Sequence, residues 1–154
     1  MKDKVFIIAE AGVNHNGDFS LAIKLIDEAK NSGVDAVKFQ TAVPELVMTS
    51  SATMAEYQIT NIGKSESQIE MARKIHLPIN DYKKLKKYCD QIGIMFLSTP
   101  FDHVSILELE KLDMEYFKIP SGEITNLPYL RHIAKIAKKV ILSTGMSTMS
   151  EVSD

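Results

Sequence analysis

Tyr116-Phe117-Lys118-Ile119-Pro120-Ser121-Gly122-Glu123 is the stretch on which the reading of this 154-residue chain turns. Tyr116, Phe117 and Ile119 favour a strand, and Pro120 and Gly122 end it. Lys118 sits among them, and a lysine in a buried strand costs several kcal/mol of desolvation unless an anion meets it. Ser121 and Glu123 follow at the strand's carboxyl end, where parallel α/β sheets bind ligands. One strand therefore brings a cation, a hydroxyl and a carboxylate to one place. The plainer alternative is an edge strand whose lysine snorkels to solvent.

Outward from this stretch the same unit recurs. Residues 140–143 (Val-Ile-Leu-Ser) predict a strand ending in Thr144-Gly145. Residues 94–99 (Ile-Met-Phe-Leu-Ser-Thr) predict another, closed by Pro100. Residues 36–41 (Ala-Val-Lys-Phe-Gln-Thr) carry a second lysine, Lys38, in an apolar setting. Residues 5–9 (Val-Phe-Ile-Ile-Ala) form a continuous apolar run, the mark of a strand buried on both faces. Glu10 through Gly17 then read as a polar loop.

Helical spacing fills the gaps between the strands. Asp18 is a plausible N-cap for a helix stopped by Gly33, Asn80 for one stopped by Gly93, and Asn126 with Pro128 for one reaching about Lys138. A further helix is expected over about 104–112. Residues 42–79 show no strand and read as an insertion of the kind that forms lids or substrate walls, with a short helix over 67–76. Strands alternating with helices imply a parallel sheet. Two architectures fit: a five-stranded doubly wound sheet, or about the first five strands and four helices of a (β/α)8 TIM-type barrel. No Gly-x-Gly-x-x-Gly or P-loop follows the first strand, which weighs against a dinucleotide or nucleotide site.

Composition narrows the function classes. Hydrophobic residues make up 45% and charged residues 25%, which is globular and not disordered. The net charge of −2 with interspersed signs offers no basic block for nucleic acid or anionic lipid. The single Cys89 excludes a disulfide framework and reads as a small core residue. Residues 5–9 are too short for a signal peptide or membrane span, so a cytoplasmic location is expected. His15, His76, His103 and His132 fall in four separate elements without metal-ligand spacing.

The strand ends together define a candidate site. They present Glu10, Asn14 and His15; Lys38, Gln40 and Thr41; Ser98 and Thr99; Lys118, Ser121 and Glu123; and Ser143, Thr144 and Gly145. Two lysines with several hydroxyls suit a phosphate beside a carboxylate, and two cations facing one cavity call for a dianion between them. Glu10 and Glu123 would then serve proton transfer or hydroxyl binding. Taken singly, Ser143 and Thr144 could simply end a strand, and Gln40 could face solvent.

Five segments carry a resemblance: Ala9-Glu10-Ala11-Gly12-Val13-Asn14-His15-Asn16-Gly17, Val37-Lys38-Phe39-Gln40-Thr41, Leu97-Ser98-Thr99-Pro100-Phe101-Asp102, Phe117-Lys118-Ile119-Pro120-Ser121-Gly122-Glu123 and Leu142-Ser143-Thr144-Gly145-Met146. In order and wording they resemble the sialic acid synthase family, the N-acetylneuraminate synthases and their legionaminic acid relatives. The resemblance implies a TIM-type barrel that condenses phosphoenolpyruvate with an open-chain N-acetylmannosamine-type sugar. Mn²⁺ or Mg²⁺ would polarise the sugar aldehyde. It implies Lys38, Thr99, Lys118, Ser121 and Ser143 as phosphoenolpyruvate contacts, and Glu10 and Gln40 as sugar contacts. Glu123 is implied as the group handling protons of the attacking water, so that Glu10 and Glu123 are the catalytic candidates.

The chain is shorter than the members it resembles. The expectation is an amino-terminal portion of the barrel domain, inactive by itself, without the metal ligands, the rest of the barrel and an antifreeze-like domain, and homodimeric when full length. Two other readings stand beside it: a Schiff-base aldolase or other phosphate-binding barrel using Lys118, and a non-catalytic half-barrel that binds or assembles.

Overall fold

The computed structural model describes residues 5–49, 52 and 67–154. Five strands alternate with helices in the order β1 (Ile8–Gly12), α1 (Phe19–Asn31), β2 (Ala36–Thr41), a single-turn α2 (Pro44–Val47), α3 (Gln68–Ile75), α4 (Asp81–Ile92), β3 (Met95–Pro100), α5 (His103–Glu110), β4 (Tyr116–Ile119), a 3-10 turn (Ser121–Glu123), α6 (Leu127–Ile136), β5 (Lys139–Leu142) and α7 (Met149–Ser153).

Each strand ladder among the described residues is parallel and joins strands that follow one another in sequence. One ladder runs β1-β2-β3 and a second runs β4-β5. β4 lies against β3, which sets the five strands in sequence order. A doubly wound sheet would put β1 between two other strands. Among the described strands β1 is paired only with β2, so they follow the order of a barrel wall.

Local chemistry explains where the elements start and stop. The Asp18 carboxylate caps α1 by accepting from the Ser20 and Leu21 amides. Ser67 and Glu70 form a reciprocal capping box on α3. Asp102 caps α5 and also accepts from the Val43 amide at 2.8 Å, tying the chain after β2 to the chain after β3. Asn126 caps α6, with Pro128 in its first turn. Gly93 ends α4 at φ 75, a left-handed value that glycine adopts without strain.

The core lies between strands and helices. Val37 and Phe39 of β2, Phe96 of β3, and Phe117 and Ile119 of β4 pack there with Ile26, Leu85, Ile106, Tyr129 and Ile133 from the helices. Strand side chains alternate in direction, so Lys38, Gln40 and Lys118 project from the opposite face. Cys89 is buried in this core with its thiol pushed up to about 12 by desolvation, the behaviour of a packing residue.

Several expected boundaries shift. β1 begins at Ile8 and not Val5: the Ile7 amide donates to the Asp35 carboxylate at 2.9 Å in place of a strand carbonyl. Val5, Phe6 and Ile7 stay exposed, and the strand runs on through Glu10, which sequence placed in the loop. β3 ends at Pro100, one residue beyond the expected end. Within the expected insertion, α3 falls where the short helix was expected, and α2, with Pro44 in its first turn, is an addition. Other parts of that expected insertion lie outside the described residues.

Candidate functional site

Three charged side chains from three strands converge on the face away from the helices. Glu10 and Lys38 are directly opposite one another in the β1–β2 register, and Lys38 Nζ makes an ion pair with Glu10 Oε2. Lys118 stands on β4. Burial lowers its ammonium pKa, the Lys38 charge lowers it further, and Glu10 offsets part of the shift. The face therefore holds two cations and one anion, and the second cation lacks a carboxylate partner among the described residues.

Lys118 has a neutral partner instead. Its Nζ donates to the Ile119 carbonyl oxygen at 2.7 Å, and the Ser143 amide donates to the same oxygen at 3.1 Å. Ser143 is thereby fixed beside Lys118 at the end of β5. Gln40 shares the Lys38 face and lies opposite Thr99 in the β2–β3 register. Glu10, Lys38, Gln40, Thr99 and Lys118 thus belong to one face, with Ser143 at its end.

Ser121 sits in the 3-10 turn after β4. A side chain at Gly145 would come within 3.7 Å of its Oγ, and the two residues line a shallow cleft of about 270 Å³. Glu123 takes a different course. Its carboxylate accepts from Asn126 Nδ2 at 2.6 Å and lies near enough to raise the Tyr129 hydroxyl pKa. In this arrangement Glu123 engages the start of α6 and neither lysine.

Two polar strand-end residues leave the site altogether. Thr41 and Ser98 point to the helix side, where their hydroxyls form a buried 2.7 Å hydrogen bond. They pin β2 to β3 and are out of reach of a ligand on the lysine face. The Tyr82 hydroxyl reinforces the same place by donating to the Gln40 carbonyl at 2.6 Å.

His15 is fully buried on the loop after β1. Its Nδ1 accepts from the Gly17 amide at 3.1 Å, which puts the ring hydrogen of the neutral form on Nε2. That Nε2 has no hydrogen-bond partner among the described residues. Burial and His76 push the imidazole pKa down, while Asp18 opposes them. Its ring also lies against the Phe39 ring, 6.0 Å between centroids.

No three His, Cys, Asp or Glu side chains converge as metal ligands among the described residues. His103 and His132 approach with their Nδ1 atoms 3.0 Å apart, but they do so on α5 and α6, on the helix side.

A family model for the NeuB family matches residues 25–154. The chain belongs to the NeuB family. Within that family the chain is 50% identical over 151 residues to an N,N'-diacetyllegionaminic acid synthase of Campylobacter jejuni, covering 98% of this chain and 45% of that protein. It is 48% identical to an N,N'-diacetyllegionaminic acid synthase of Legionella pneumophila, over 96% of this chain and 41% of that protein. The crystal structure of an N-acetylneuraminic acid synthetase from Leptospira borgpetersenii, in complex with citrate, superposes with a TM-score of 0.80 at 31% identity, covering 98% of this chain and 48% of that one. The chain spans less than half the length of these relatives. The expected barrel class and family are thereby established. No helix among the described residues is long and apolar enough to cross a membrane.

Proposed function

We propose that this chain supplies the amino-terminal part of a synthase that condenses phosphoenolpyruvate with an open-chain acetamido sugar to give a nonulosonic acid of the sialic or legionaminic type. The observation that carries the reading is the meeting of Lys38, Lys118 and Glu10 on one strand face. Two lysines with one carboxylate leave a net positive site. A phosphate dianion bearing a neighbouring carboxylate neutralises it and relieves the repulsion between the cations.

In this reading Lys38, Thr99, Lys118, Ser121 and Ser143 hold phosphoenolpyruvate, and Glu10 and Gln40 meet the sugar. The substrate's C3 attacks the sugar aldehyde carbon. Water adds at C2, and phosphate departs by cleavage of the C2–O bond. Glu10 stands at the lysines, and Glu123, held by Asn126, is the other carboxylate assigned to the protons of the attacking water. A divalent cation, Mn²⁺ or Mg²⁺, would be held by side chains other than those described. The working form proposed is a homodimer of the full-length protein.

Thermal unfolding with and without phosphoenolpyruvate tests the site, with sulfate at matched ionic strength as control. A ligand that binds only the folded state, at a hundred times its dissociation constant, stabilises by about 2.7 kcal/mol. The expected shift is specific to phosphoenolpyruvate and absent in Lys38→Ala and Lys118→Ala. An equal shift with sulfate would refute the assignment of substrate.

One observation favours a second reading. The depressed pKa of Lys118 makes its amine a better nucleophile, the property a Schiff-base aldolase needs. Borohydride trapping with a carbonyl substrate separates the two, because the synthase route forms no imine. A covalent adduct on Lys118 would decide for the aldolase.

A further inference from the structure

Gly12 occupies the point where β1 leaves its regular pairing. The register steps from Glu10 opposite Lys38 to Gly12 opposite Phe39, a bulge, and Gly12 takes φ +53. A Cβ at this position would stand 3.3 Å from Glu10 Oε1 and 3.7 Å from Gln40 Nε2. The Glu10 carboxylate and the Gln40 carboxamide therefore close over a strand position that has no side chain.

The open atoms define a chemistry. Glu10 Oε2 is taken by Lys38. No side chain other than Lys38 bonds the Glu10 carboxylate among the described residues, and the Gln40 carboxamide has no hydrogen-bond partner there. A carboxylate oxygen that accepts, beside an amide nitrogen that donates, matches a group that does both, which is a hydroxyl. We infer that Gly12 is a specificity-setting positioning residue: its missing side chain keeps an opening for one hydroxyl of the polyhydroxy acceptor between Glu10 Oε1 and Gln40 Nε2. The inference rests on the proposed function, because the acceptor is that reaction's second substrate. A side chain here crowds Oε1, shifts Glu10, and leaves the Lys118–Ser143 end of the face alone.

The test measures steady-state kinetics of the full-length protein with phosphoenolpyruvate and the acetamido sugar varied in turn. Gly12→Ala adds both a Cβ and backbone strain. Gly12→Asn adds a side chain that tolerates positive φ better, as Asn16 does at φ 47 in the following loop. Gly33→Ala is the strain control, since Gly33 has φ +74 and nothing within 4 Å of an added Cβ. The expected result is a rise of about tenfold or more in the KM for the sugar in both Gly12 variants. The KM for phosphoenolpyruvate at saturating sugar rises by less, since Glu10 also pairs with the phosphoenolpyruvate contact Lys38, and Gly33→Ala keeps wild-type values for both. Equal losses for both substrates, the same loss in Gly33→Ala, or unchanged sugar kinetics would overturn the inference. So would failure of both Gly12 variants to fold, which would make the glycine a requirement of the bulge alone. A wild-type protein that turns over neither substrate refutes the proposed function itself, and this inference with it, and is told apart by needing no variant.

Discussion

The Tyr129 hydroxyl donates a 2.7 Å hydrogen bond to the Pro100 carbonyl oxygen, both groups buried, and so fastens α6 to the carboxyl end of β3. Burial and the nearby Glu123 and Asp102 charges raise the phenol pKa, so it stays a donor through the physiological range. Tyr129→Phe leaves the carbonyl without its partner. The expected loss is about 1–3 kcal/mol in urea unfolding with an unchanged m value. A change below about 0.5 kcal/mol would mean that water replaces the phenol at Pro100.

The Thr41–Ser98 hydroxyl pair makes a sharper thermodynamic prediction. Either Thr41→Val or Ser98→Ala alone strands a buried hydroxyl and is expected to cost about 1–3 kcal/mol. The double variant removes both polar groups and is expected to cost less than the sum of the two. A double-mutant cycle measures the coupling, and strict additivity would sink the claim that the pair is a single buried unit.

His15 gives the fold an acid-side weakness. Its folded pKa lies below the ordinary value of 6.5, so below that value the unfolded chain takes up a proton that the folded one refuses. Stability is expected to fall as pH drops from 6.5 toward the folded pKa, and to be complete above 6.5. His15→Gln should abolish that part of the slope. The check is the denaturation midpoint measured from neutral to acid pH for both proteins; parallel curves would clear His15 of the effect.

Lys118 sets binding against stability. Its folded pKa is depressed from 10.5, so in the alkaline range below 10.5 the unfolded chain holds more protons and stability rises with pH. Lys118→Met removes the desolvated ammonium and its repulsion with Lys38. At neutral pH the variant is expected to be at least as stable as the parent, while its phosphoenolpyruvate affinity falls tenfold or more, about 1.4 kcal/mol. Calorimetry of binding paired with thermal unfolding reads both. A Lys118→Met protein that is less stable would show that the ammonium is held favourably.

Much of this was legible in the residues. The span of β2 followed from its apolar run between Gly33 and the residues after Thr41, and the caps at Asp18 and Asn126 followed from side-chain type. Strand alternation could also have separated Thr99 from Ser98, since neighbours in one strand face opposite ways. β1 was harder. Its apolar run overlaps only the start of the strand, and Glu10 reads as a loop residue until Lys38 is seen opposite it. The turn of Glu123 toward Asn126 was out of reach, because a 3-10 turn redirects side chains by an amount that sequence does not specify. The opening at Gly12 depends on a bulge, and its only trace in the sequence is the glycine.

Lys38 and Lys118 stand on different ladders, because the hydrogen-bonded strands fall into a group of three and a group of two. Within a ladder, spacing is locked by repeating amide bonds. Across the join between β3 and β4 no ladder among the described residues locks it. A dianion gripped by both lysines would rivet the halves together, so the substrate would be a structural member of the wall as well as its cargo. Tightness of binding and stiffness of the sheet then become one quantity read from two directions.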